Sequence, residues 1–180
     1  MFHHDHEPDA DTAIEALRTA AYMHWLLEGA GLADVLHATT YAEAVAARRA
    51  IEPESRFQFE ALVAVLVQVT ATDQREKRHH DREASRPWWR KLFDLPAVET
   101  EDDAFRAEYP EGAPRAQVVA AQLCAAEANG DRDTVLALLR PWIRDDRVDG
   151  GQTDLITELA TLARAAHQPL CPRMREGAAS

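Results

Sequence analysis

The chain has little lysine, cysteine or glycine, and it has no long apolar run. Of its 180 residues, two are lysine, two are cysteine and seven are glycine. The cysteines, Cys124 and Cys171, are too few for a disulfide framework and fall in no metal-binding spacing. Cys124 sits in a helical apolar stripe, which predicts a buried, reduced thiol. The longest unbroken apolar stretch, Ala61 to Val67, is far short of the roughly 20 residues that span a bilayer. The amino terminus, MFHHDHEPD, lacks a basic stretch followed by an apolar one, so no secretory signal is read there and a cytoplasmic location is expected. Gly-rich phosphate loops, nucleophile elbows and dinucleotide fingerprints are also missing. No cofactor is expected, and a non-enzyme is favoured. Catalytic groups assembled from separate helices would leave no local string, so an enzyme stays open.

What the chain does have is helix-forming material. It holds 34 alanines, and arginine outnumbers lysine 18 to two. Ala, Leu, Arg and Glu favour helix, so an all-α fold is expected. The Ala and Arg bias also suggests a bacterial chain from a GC-rich genome. With 31 acidic against 20 basic residues the net charge is −11. That balance argues against general nucleic-acid affinity, which needs a positive face to release counterions. At this length one domain and two small ones are equally permitted.

Helix signals recur along the chain. Asp9 and Asp11 open a helix running to Glu28, in which Ile14, Leu17, Ala21 and Trp25 share one stripe, and Gly29 and Gly31 close it. A short turn covers Leu32 to His37. Thr40 and Glu43 form a capping box for a helix over Tyr41 to Ile51, broken by Glu52-Pro53. The run FQFEALVAVLVQVT alternates like a strand from Phe57 to Val69, yet Phe59, Leu62, Leu66 and Val69 also follow a helical seam. An isolated strand would leave its edges unpaired, so a buried helix continuing into the charged stretch Gln74 to Glu83 is favoured. Ser85 and Pro87 can open a further short helix.

Residues 94–112 hold Pro96, Pro110, seven acids and one arginine, and read as a linker. The expected layout is a bundle over 1–93, this linker, a helical segment over 113–168 and a loose tail over 169–180. Within the third part, helices are expected over Pro114 to Asn129, Arg132 to Arg144 and Thr153 to His167. Pro141 should kink or split the middle one, and Asp149-Gly150-Gly151 should break the chain before the last.

The two helices joined at Asn129-Gly130-Asp131 resemble a tetratricopeptide hairpin over about 35 residues. Val135 and Trp142 stand where such repeats pack small residues, and no second copy recurs at a period of about 34. No binding residue is carried over. The expected fold is therefore a multi-helix bundle with a C-terminal antiparallel, weakly tetratricopeptide-like hairpin and one further helix.

The most informative stretch is Arg75 to Lys91, REKRHHDREASRPWWRK. Seven basic residues against three acidic ones give it +4, which leaves −15 on the rest of the chain. Both lysines and two of the four tryptophans lie in it. Its end supplies the candidate binding residues Arg86, Trp88, Trp89, Arg90, Lys91 and Phe93. Trp and Arg are over-represented in protein hot spots. Indoles flanked by cations also suit an anionic membrane surface. A third reading plugs Trp88 and Phe93 into the core while the arginines pair with Glu99, Glu101, Asp102 and Asp103.

Two His-rich strings are secondary metal candidates: His3, His4 and His6 at the amino terminus, and His79 with His80. Neither has the spacing of a zinc site, and adjacent helical histidines diverge by about 100°. Asp145-Asp146-Arg147-Val148-Asp149 matches a DDxxD string, but fails as a calcium loop at Arg147 and Ile156. His24 and His37 have no acid or nucleophile partner by spacing. The leading expectation is a cytosolic adaptor or regulatory subunit that binds another protein through the basic Trp segment. A peripheral membrane protein using the same segment is the alternative, and a small metal-dependent helical enzyme comes second. A DNA-binding helix-turn-helix protein is the weakest, and small-molecule binding and self-association stay open.

Overall fold

A computed structural model describes residues 10–28, 30–85, 104–143 and 150–168, and among them every regular element is helical. Helix α1 is Ala10–Glu28, α2 is Ala30–His37, α3 is Tyr41–Ala50 and α4 is Arg56–Ser85. After the gap, α5 is Arg115–Ala128 and α6 is Arg132–Leu139, which runs into a 3-10 turn, Arg140–Trp142. Helix α7 is Gly150–His167. The all-α bundle expected from composition is the fold.

The ambiguous run from Phe57 to Val69 is the first half of α4. Its apparent alternation arises because the helix is covered on most sides. Phe59, Leu62, Val63, Val65, Leu66 and Val67 are all buried, and only Phe57, Ala64 and Gln68, at helical spacing, mark an outward edge. A helix apolar nearly all round belongs at the centre of a core. Helices α5 and α7 pack on α4 and on each other, and α1 lies against its flank. One continuous buried cluster runs from Leu26 through Leu66 and Leu123 to Ala163.

Stripe geometry alone misplaces the outer face of α1. Ile14, Leu17 and Ala21 are exposed, and Trp25 is 39% exposed, while Tyr22, Met23 and Leu26 turn inward. Tyr22 decides the rotation, because its hydroxyl donates to Ile51 O at 2.6 Å. The Trp25 indole lies over Gly31, where a Cβ would meet it at 2.9 Å.

The predicted capping box is present on α3. Glu43 N donates to Thr40 Oγ1 at 3.2 Å, and Glu43 Oε2 accepts from Thr40 N at 3.2 Å. The same carboxylate accepts from Thr39 Oγ1 at 2.8 Å and Thr39 N at 2.9 Å. These bonds, the Thr39 hydroxyl first, hold the Glu43 carboxyl below its ordinary value. Thr40→Ala is expected to cost about 1 kcal/mol in urea unfolding. A depressed folded value means the Glu43 contribution is full above the ordinary Glu range and fades as pH falls through the lowered one. The difference between wild type and Glu43→Ala should shrink accordingly in acid.

The α5–α6 turn is set by Gly130, with φ of 74°, and by Asp131, which caps α6 by accepting from Thr134 N at 3.1 Å. Pro141 has no N–H to donate, and α6 gives way to the 3-10 turn just before it, as expected. The glycine break does not fall where expected. Gly150 and Gly151 begin α7 instead of preceding it. Residues 1–9, 29, 86–103, 144–149 and 169–180, and with them the expected Pro87 helix, the DDxxD string and Cys171, lie outside the described residues.

Candidate functional site

Past Ala71, α4 stops being a core helix. From Gln74 to Glu83 its residues are charged or polar and mostly exposed. Here the helix walls a cleft of about 880 Å³. Lys77, Arg78, Asp81 and Arg82 line it from α4, and Phe105, Arg106 and Glu108 from the segment that leads into α5. Ala121 and Ala125 of α5 and Leu162 of α7 supply apolar lining. Among the described lining residues four cations stand against two acids, a local positive excess in a chain whose net charge is −11.

The walls are fixed by specific bonds. Arg75 Nη2 donates to Glu127 O at 3.1 Å, tying α4 to the end of α5. Asn129 treats Phe105 as a strand neighbour would. Its Oδ1 accepts from Phe105 N and its Nδ2 donates to Phe105 O, both at 2.8 Å. The Arg78 guanidinium then lies 3.4 Å from the centre of the Phe105 ring, a cation–π contact that orients it. Part of the positive potential is therefore held on a short, braced framework.

Cys124 also lines the cleft, yet only 1% of it is exposed. Burial pushes its thiol up to about 12, with Thr70 pulling weakly the other way. At neutral pH it is a thiol, so it is neither a nucleophile nor a metal ligand without cost. Cys124 should resist alkylation in the native protein and react only on unfolding, which mass mapping of labelled peptides checks.

The sequence singled out the Arg75–Lys91 stretch, and the structure divides it. Lys77, Arg78 and Arg82 are brought to the cleft. Arg86, Trp88, Trp89, Arg90, Lys91 and Phe93 lie outside the described residues, as do His3, His4 and His6. His79 and His80 are on α4 and exposed. Among the described residues no three His, Cys, Asp or Glu side chains gather where they could hold a metal ion.

Sequence reasoning missed two features. Phe105, Arg106 and Glu108 fall in the presumed linker, and only Phe105, the one aromatic before Tyr109 in an acidic stretch, hinted at an anchored segment. His37, read as partnerless, packs against His167, with ring centres 5.2 Å apart. His167 Nδ1 is 3.0 Å from Asp73 Oδ2. These residues come from α2, α7 and α4, and no spacing rule connects them. Compared with protein-family models, curated proteins and solved structures, the chain matches none.

Proposed function

We propose that this chain is a helical interaction protein, an adaptor or regulatory subunit, whose cleft receives an acidic, partly apolar segment of another protein. The observation that carries this is the local reversal of charge: Lys77, Arg78, Arg82 and Arg106 line one hollow of an acidic molecule. Carboxylates on a partner would meet these cations, the Arg78 guanidinium among them held over Phe105, and its apolar side chains would meet Phe105, Ala121, Ala125 and Leu162. The stretch Arg86 to Phe93 follows directly in sequence, so Trp88 and Trp89 are kept as the aromatic anchors of the same partner. No described helix is long and apolar enough to cross a membrane. A cytoplasmic location belongs to the same proposal.

The test is fluorescence polarisation of a labelled peptide of Glu and Asp interspersed with Leu, against full-length protein over a range of salt. Binding that weakens steadily with salt, and a Lys- and Arg-rich control that does not bind, support the reading. Equal binding of both peptides, or of neither, sinks it. Flotation with anionic vesicles runs alongside. Salt-sensitive flotation lost in a folded Trp88→Ala/Trp89→Ala variant would replace the protein partner with a membrane surface.

A further inference from the structure

Helices α3 and α7 border a hollow of about 90 Å³ that shares no residue with the cleft. Tyr41, Ala44, Val45 and Arg48 line it from α3, at the i, i+3, i+4 and i+7 positions that share one helix face. Thr157, Ala160, Thr161 and Arg164 line it from α7 at the same spacing. Helix α2 packs on both and brings the buried Val35 to the same hollow. Thr153 Oγ1 donates to Glu52 Oε1 at 3.4 Å, which ties α7 to the chain just past α3.

Val35, Ala44, Val45 and Ala160 make the hollow apolar, and among its described lining residues the only charges are the guanidinium groups of Arg48 and Arg164. The Arg48 side chain is 16% exposed, and its Nη1 is closed to solvent with no hydrogen-bond partner. Glu52 Oε1 stands 3.6 Å from that nitrogen, beyond hydrogen-bond length, on a side chain that is 43% exposed. A guanidinium so buried and so loosely paired bears a desolvation cost that a bound anion relieves. Arg164 is half-buried at the same hollow. Thr157 Oγ1 donates to Thr153 O at 2.8 Å and Thr161 Oγ1 to Thr157 O at 2.9 Å, so both hydroxyl protons are committed within the helix. The donors left for an anion are the two arginines.

We infer that this hollow binds a short aliphatic monocarboxylate of about three carbons, its carboxylate at Arg48 and Arg164 and its chain against Val35, Val45 and Ala160. Guanidinium pairs with a planar carboxylate through two parallel N–H···O bonds. A cavity of about 150 Å³ holds benzene, so about 90 Å³ has room for roughly four or five heavy atoms. Inorganic phosphate has no apolar surface to set against these walls.

The test uses the full-length chain labelled with ¹⁵N and sodium propionate as the probe, with ionic strength held constant by sodium chloride. Arginine Nε–Hε correlations report each guanidinium, and amide correlations report the walls. Propionate should shift Arg48, Arg164, Val45 and Ala160 on one saturation curve, with its midpoint at about millimolar concentration. Propionamide, which keeps the shape and loses the charge, should bind at least roughly tenfold more weakly. Arg164→Gln should weaken propionate by roughly tenfold or more. Propionate shifts that do not saturate, propionamide binding as well as propionate, or phosphate binding more tightly would each overturn the site. Shifts confined to Lys77, Arg78, Arg82 and Arg106 would overturn it too and place the anion in the cleft. The wild-type spectra decide even where a variant does not fold.

Discussion

Leu66→Ala is expected to lower stability by about 2–5 kcal/mol and to do so for both ends of the chain at once. Leu66 is fully buried near the middle of α4 and belongs to the cluster that joins Leu26 of α1 to Leu123 of α5 and Leu159 of α7. Removing its isobutyl group loses transfer energy and leaves a void that the three packed helices cannot close. For a chain of this size each kcal/mol moves Tm by roughly 2–4 °C, so a fall of roughly 4–20 °C should appear in thermal melts. Circular dichroism and a probe in α7 should report one transition, because the core is shared. The matched control is Leu17→Ala. Leu17 is 71% exposed, and its loss should change stability by less than about 0.5 kcal/mol. A large loss from Leu17 would mean that α1 is rotated from the orientation that the Tyr22 bond gives it.

Reversing charge in the cleft should abolish most binding of an acidic segment without a comparable cost in fold. Lys77 and Arg106 are exposed and lie on opposite walls, so Lys77→Glu/Arg106→Glu changes the potential there by four charges. Opposed like charges at close range cost more than a lost attraction. An affinity loss on the order of 10- to 100-fold is expected, together with a flatter salt dependence. Phe105→Ala should act differently. It removes the ring under Arg78 but leaves the charge, so affinity should fall by less while the salt slope is kept. Polarisation titrations of the three proteins at several salt concentrations separate the two effects.

Local features were legible in the sequence where a single residue type imposes them. Thr40 with Glu43, Gly130 with Asp131, and Pro141 each act within one turn, and each does in the structure what its chemistry requires. Gly150 and Gly151 are the exception. Glycine only permits a break, and the burial of Gln152, Leu155 and Ile156 behind it draws both residues into α7. The stripe on α1 was legible but its direction was not. An apolar spacing says which residues share a face, while Tyr22 and Leu26 decide which face turns in. In the candidate site the basic seam stood out as a composition shift, and Lys77, Arg78 and Arg82 lie within it, although the residues singled out for binding were those from Arg86 to Phe93. Phe105 and Arg106 were missed, because the Asn129 amide that fixes them lies 24 residues away and no pattern links a loop to a distant turn. The His37–His167–Asp73 corner was hidden for the same reason. Its members are separated by long stretches of helix and meet only through packing.

The most direct measurement is a proton–nitrogen amide map of the full-length chain during titration with the acidic peptide. If the cleft is the binding surface, the largest shifts should fall on Lys77, Arg78 and Arg82, on Phe105 and Arg106, and on Ala121 and Ala125, and should collapse in Lys77→Glu/Arg106→Glu. Saturable binding whose shifts leave those residues unmoved would contradict it.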